Sequence, residues 1–148
     1  MPGTFTQLLF HIIFSTKHRE PVISPEIEPR LYNYIGGVIR GERGSLLEIG
    51  GVADHVHLLV RWRPDGSLSD LMRSVKGNSS RWMHEQFPAT PFAWQDGYAA
   101  FSVSKSAEGD VQRYIAGQRE HHRARSFMEE LEAFLTAHGV AFERRYLE

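Results

Sequence analysis

Two histidines one residue apart, His55 and His57, lie in the run Asp54-His55-Val56-His57-Leu58-Leu59-Val60. The run has no Gly or Pro and alternates with period two, which predicts a β-strand. Side chains at i and i+2 share one strand face, about 6.5–7 Å apart. His55 and His57 therefore point the same way, with Leu59 and Arg61, while Val56, Leu58 and Val60 form the opposite, apolar face. Imidazoles at that spacing can converge on one metal ion through bonds of roughly 2 Å. They can equally form a half-buried pair without a ligand, and in a chain with 8 histidines the spacing alone does not choose.

A second group stands downstream, in Asp110-Val111-Gln112-Arg113-Tyr114-Ile115-Ala116-Gly117-Gln118-Arg119-Glu120-His121-His122. The pattern predicts a helix capped by Asp110 or Ser106, with Val111, Tyr114, Ile115 and Gln118 on one stripe. Tyr114 and Gln118, four apart, fall one turn from each other on the same face. A phenol and an amide oxygen set against a histidine pair make a mixed N/O site with a nucleophile beside it. Such donors suit Mg²⁺ or Mn²⁺ better than a closed thiolate zinc site. The competing reading of Tyr114 is a buried ring with its hydroxyl satisfied.

With these residues in view, the chain resembles the HUH single-tyrosine transposases of small bacterial insertion sequences (the IS200-like kind) and their REP-associated relatives. The resemblance rests on Asp54-His55-Val56-His57-Leu58-Leu59, Lys76-Gly77-Asn78-Ser79-Ser80-Arg81, Trp94-Gln95-Asp96-Gly97-Tyr98 and Tyr114-Ile115-x-x-Gln118, which come in the family's order. Ala53 departs from the family's usual proline, and Gly117 interrupts the tyrosine helix at about 1 kcal/mol relative to alanine. The resemblance implies that His55, His57 and Gln118 hold Mg²⁺ or Mn²⁺. Tyr114 would be the nucleophile that cleaves and rejoins single-stranded DNA through a 5′-phosphotyrosine. DNA with hairpin ends would be the partner, and a homodimer the working unit, with Tyr114 able to act across the interface. The small and polar residues from Ser102 to Gly109 would then serve as a hinge. Asp54 reads as a hydrogen-bonding residue rather than a ligand, and His122 as surface or core.

Two other classes compete. One is an HUH replication initiator or relaxase-like nickase, usually part of a larger protein. The other is a non-catalytic ferredoxin-like nucleic-acid binder in which Trp94, Tyr98 and Phe101 stack on bases.

Charge neither demands nor forbids a nucleic-acid partner. The 17 Lys and Arg against 18 Asp and Glu give a net −1, but the signs are unevenly spread. Basic residues gather over 61–81 and 105–125, including Arg73, Lys76, Arg81, Arg113 and Arg123, and the acidic excess collects in Glu129, Glu130, Glu132, Glu143 and Glu148. Arg73, Lys76, Arg81, Arg113 and His121 are the candidate DNA contacts, positioned to meet phosphates. The absence of cysteine excludes disulfides and thiolate metal sites and fits a reducing cytoplasm. The apolar stretch from Thr6 to Phe14 is too short to span a bilayer and lacks the marks of a signal peptide.

At 148 residues and 41% hydrophobic content, the chain reads as one domain, 1–148, with a real core. Periodicity predicts strands over 5–17, 46–52, 55–62 and 92–103, the last interrupted near Gly97, with Gly50-Gly51 as a bulge or bend. Helices are expected over 25–41, with Leu31, Tyr34, Ile35 and Val38 buried, over 67–86 capped by Ser67, around Tyr114, and over 126–138 ended by Gly139. The order βαββαβ is a ferredoxin-like α+β arrangement, an antiparallel sheet with helices, plus C-terminal helices carrying the nucleophile.

Overall fold

Alternation in two central strands sets the layers of the computed structural model, which describes residues 3–122 and 125–147. Arg123 and Glu148 lie outside the described residues. Strand β1 (Leu9–Ser15) pairs antiparallel with β3 (His55–Arg61), Ile13 opposite His57. Phe10, Ile12 and Phe14 fall on one face with Val56, Leu58 and Val60, while His11, Ile13 and Ser15 share the other with His55 and His57. Strands β2 (Ser45–Val52) and β4 (Ala99–Val103) flank them in the antiparallel order β2-β3-β1-β4.

Helix α1 (Ile27–Gly41) covers the apolar face because Ile27, Leu31, Ile35 and Ile39 recur every fourth residue and are all buried. Tyr34 and Val38, expected in that stripe, sit beside it half-buried, and the Tyr34 ring stacks on Trp82 with centroids 5.1 Å apart. Helix α2 (Leu68–Gln86) starts where the Ser67 hydroxyl accepts the Asp70 amide at 3.0 Å, and buries Leu71, Met72, Val75 and Met83 in the same core. The chain order is thus βαββαβ, the ferredoxin-like fold.

Several limits differ from expectation. β1 does not extend over 5–17: beyond Ser15 only Thr16 pairs, in an isolated bridge to Trp94, and Phe5 is 92% exposed. The fourth strand begins at Ala99 because Gly97, at φ +81, turns the chain, while the Lys76 ammonium donates to the carbonyls of Gln95 and Gly97 at 2.6 Å each. The bulge in β2 falls between Leu46 and Glu48, not at Gly50-Gly51, which pair regularly with His57 and Val56. Gly50 has another reason to be glycine: a Cβ there would stand 2.1 Å from the carbonyl oxygen of Ile115.

That carbonyl belongs to α3 (Glu108–Ala116), which with α4 (Gln118–His121) and α5 (Phe127–Ala137) covers the histidine face. Neither Asp110 nor Ser106 caps α3. A 3-10 turn over Lys105–Ala107 runs directly into it, so the expected hinge is largely wound, and Asp110 instead pairs with Arg113. Gly117 ends α3 rather than lying within one helix. Helix α5 is capped by Ser126 and followed by Gly139 at φ +67, as its sequence predicts, and packs Phe127, Leu131 and Leu135 on Ile13 and Phe101. No helix among the described residues is long and apolar enough to cross a membrane.

Candidate metal and nucleophile site

The strand places His55 and His57 side by side, both fully buried, with ring centroids 5.1 Å apart. Each ring is held from behind. His55 Nδ1 donates to the Asp54 carboxylate at 2.8 Å, and His57 Nδ1 meets His11 Nε2 at 2.8 Å, across the β1–β3 pairing. Asp54 is thus the hydrogen-bonding residue expected. Its hold on one nitrogen leaves the other Nε2 aimed forward, the arrangement by which outer partners orient metal-binding histidines.

Both Nε2 atoms face a carboxylate that the sequence places only within the C-terminal acidic excess. Glu130, on α5, is 1% exposed. Its Oε1 accepts from His57 Nε2 at 2.9 Å and from His122 Nε2 at 3.1 Å, and lies 3.4 Å from His55 Nε2. Its Oε2 accepts from the Gln118 amide at 3.1 Å and from the Tyr114 hydroxyl. The Gln118 oxygen accepts in turn from His55 Nε2 at 3.2 Å and His122 Nε2 at 3.1 Å. Despite the break at Gly117, Tyr114 and Gln118 therefore reach one centre, and it lies against this chain's own histidines: the rings of Tyr114 and His57 are 5.9 Å apart. His122, read from sequence as surface or core, belongs to the cluster.

Electrostatics follow from this burial. At Glu130, burial favours the neutral acid, but hydrogen bonds from His55, His57 and Tyr114 hold the carboxyl well below the usual carboxylate range. Burial also pulls His55 down, yet Asp54 and Glu130 outweigh it and raise the imidazole to about 9. Burial lowers His57 to about 4 despite its hydrogen bond to Glu130; His11, buried and beside His57, is lowered to about 3. Burial, then the hydrogen bond to and charge of Glu130, push the Tyr114 phenol up. The donor chemistry fits a divalent cation: converging imidazole nitrogens, an amide oxygen and a buried carboxylate, with no thiolate.

The candidate DNA contacts are scattered. His121 lies against the Tyr114 ring, centroids 4.3 Å apart, and with Tyr114, Glu120 and Arg125 lines a cleft. Arg113 is on the same helix as Tyr114. Arg73, Lys76 and Arg81 are on α2, in the layer on the other side of the sheet, and are not brought to the histidines. Lys76 is half-buried over the Phe14 ring, and Arg81 bonds Asn78. Of the aromatics weighed as base-stacking platforms, Trp94 and Phe101 are buried and only Tyr98, 38% exposed, is open. Glu130 and His11 were the residues that sequence reading passed over. A signal for Glu130 existed: with Phe127, Leu131 and Phe134 it lies on one apolar stripe, where a carboxylate is out of place.

Fold and cluster together define a ferredoxin-like domain that presents a tyrosine to a histidine pair. A family model described as "Transposase IS200 like" matches residues 4–118. The chain belongs to this family of IS200-like transposases, and DNA transposition is the activity that membership supports. It is 26% identical over 124 residues to the ISDra2 transposase TnpA of Deinococcus radiodurans, covering 80% of this chain and 89% of that one. The transposase for insertion sequence element IS200 of Salmonella typhimurium is 29% identical over 120 residues, 77% of this chain and 78% of the relative. Among solved structures, a putative transposase of D. radiodurans superposes with TM-score 0.67 at 27% identity, covering 78% of this chain and 93% of that one. A REP-associated tyrosine transposase bound to a REP hairpin shares the fold at TM-score 0.59 and 13% identity, over 78% of this chain and 68% of that one.

Proposed function

We propose that this chain cleaves and rejoins single-stranded DNA by metal-assisted attack of Tyr114. The observation that carries the reading is the meeting of the Tyr114 hydroxyl with His57 and Gln118 around one buried carboxylate. His55, His57 and Gln118 would hold the cation, Mg²⁺ or Mn²⁺, with Asp54 and His11 fixing the two rings. The bound ion would supply charge neutralisation at a phosphodiester whose oxygens otherwise repel a nucleophile. Tyr114 Oη forms a bond to phosphorus as the bond to the 3′-oxygen breaks; the phenol loses its proton and the 3′-oxygen gains one. The product is a 5′-phosphotyrosine and a free 3′-hydroxyl. The covalent link conserves the bond, so another 3′-hydroxyl can displace the tyrosine without an outside energy source. A phenol of reference pKa about 10 leaves more readily than an alkoxide.

In this reading residues 1–148 act as one domain in the cytoplasm, on DNA with hairpin ends. Arg113 and His121, beside Tyr114, contact phosphates, as do Arg73, Lys76 and Arg81 on the far layer. The working unit is a homodimer. Tyr114→Phe should abolish the covalent protein–DNA adduct on denaturing gels, with Mg²⁺ or Mn²⁺ present, and leave DNA binding intact. An undiminished adduct removes Tyr114 from the role. Mixing His57→Ala with Tyr114→Phe subunits settles how the site is shared: recovery of adduct means a tyrosine working across the interface, and none, with proven exchange, means the same-chain pairing seen here.

A further inference from the structure

We infer that α5 contributes to the metal site directly, with Glu130 as a ligand from that helix and His122 as a third imidazole. The inference rests on the proposed metal-binding role of His55 and His57 and extends it to residues beyond 4–118, the stretch the family model matches.

Geometry is the first support. One ligand atom from each of His55, His57, His122 and Glu130 lies within 4.8 Å of all the others. An octahedral Mg²⁺ or Mn²⁺ with bonds of about 2.0–2.2 Å would want neighbouring ligand atoms about 2.8–3.1 Å apart. Glu130 Oε1 is 2.9, 3.1 and 3.4 Å from the Nε2 atoms of His57, His122 and His55. The first two gaps already fit, and the third asks for a few tenths of an ångström of closing, not a rebuilding. The Gln118 oxygen, 3.2 Å from His55 Nε2 and 3.1 Å from His122 Nε2, is close enough to join them.

The second support is the cost of the carboxylate. Glu130 is 1% exposed on the face of α5 that buries Phe127, Leu131 and Leu135, where an aliphatic side chain would pack without penalty. A buried charge is expensive unless paired and hydrogen-bonded, and this one draws its partners entirely from groups that can also bind a cation or a phosphate. Two neutral imidazoles and an amide carry no charge, whereas adding Glu130 gives a divalent ion one anionic ligand inside a protein wall. The other oxygen, Oε2, accepts from Tyr114 and Gln118, so the same carboxylate ties the nucleophile to the metal position.

The test is Mn²⁺ binding by the full chain without DNA, read from the EPR signal of free Mn²⁺ and paired with hydrogen exchange of residues 127–137. Loss of outer-shell partners alone costs 10–100-fold in affinity, so Glu130→Gln should weaken Mn²⁺ by at least about tenfold. His122→Asn should weaken it too, and the exposed control Glu129→Gln should not. In the unaltered protein Mn²⁺ should slow exchange across α5, a measurement that stands even if Glu130→Gln folds poorly. Unchanged α5 exchange overturns the inference, as does Mn²⁺ binding by Glu130→Gln equal to that of the parent. If His57→Ala loses Mn²⁺ while Glu130→Gln keeps it, only this inference falls. If the parent fails to bind, or His57→Ala binds as well as the parent, the metal site of the proposed function falls with it.

Discussion

The two faces of the sheet are built from the same two strands yet obey different rules. On the α1–α2 side, Ile12, Phe14, Val56, Leu58 and Val60 meet Leu31, Ile35, Leu71 and Val75 in a core with little to satisfy but shape. On the α3–α5 side, the residues between them, His11, His55 and His57, are buried just as deeply among Gln118 and Glu130. Each polar group there needs a partner, and losing one leaves another stranded. Stability on the first face is spread over many interchangeable contacts. On the second it depends on a few protonation states, which is what a site of chemistry costs a fold.

Acid should separate the faces most strongly. His11 and His57 have folded pKa values of about 3 and 4, below the unfolded 6.5, so protons favour the unfolded chain. Their neutral forms cost nothing above that pH, and stability is lost as pH falls below 6.5, at up to about 1.4 kcal/mol per pH unit for each group. His55, raised to about 9, runs the other way: its contribution is full below 6.5 and fades as pH rises through 9. Urea midpoints of the metal-free protein in EDTA should therefore drop steeply between pH 6.5 and 4.5 and more gently as pH rises from 6.5 to 9. A flat profile from pH 7 to 5 would mean that the histidine face is not packed as described.

Leu58→Ala probes the other face. Leu58 is fully buried in the aliphatic core, and its truncation should cost about 2–5 kcal/mol in chemical denaturation. The surviving folded fraction should still form adduct through Tyr114 at the parental rate. A loss of adduct beyond the loss of folded protein would show that the faces are coupled.

Gly50→Ala tests the seam between β2 and the tyrosine helix. The added Cβ meets the Ile115 carbonyl oxygen, a backbone atom that cannot rotate away, and the overpacking should cost about 1–3 kcal/mol. Adduct yield should fall further than stability does, because the displaced helix carries Tyr114. Equal losses in both would reduce Gly50 to a packing position.

The same contrast decides which features are legible in the sequence. The aliphatic face announces itself: alternation in 55–61 and the four-residue recurrence in α1 are consequences of burial against one uniform partner. Strand ends were less legible: the interruption near Gly97 is expected from the glycine, but the lysine clamp that leaves only Ala99–Val103 as strand is brought together by the fold. In the site, His55, His57, Tyr114 and Gln118 could be singled out by local spacing. For Glu130 the apolar stripe of α5 signals burial but not a site, because its meeting and that of His122 with β3 depend on how α5 returns over the sheet. His11 was lost inside an apolar run, although the register sets it opposite Leu59, diagonal to His57 on the same face.

Gly50 has one more consequence. Where α3 crosses β2 at Gly50, the Ile115 carbonyl faces the strand backbone directly, so this point of the seam has few rotamers to sample and little compressible volume. Most helix–sheet contacts behave as a bed of springs, each side chain yielding a little to heat or to a changed neighbour. This one behaves as a bearing surface. The height of the tyrosine helix above β2, the neighbour of the histidine strand, is thus set at that point by covalent bond lengths and van der Waals radii, quantities that temperature and drift in the distant core tune little.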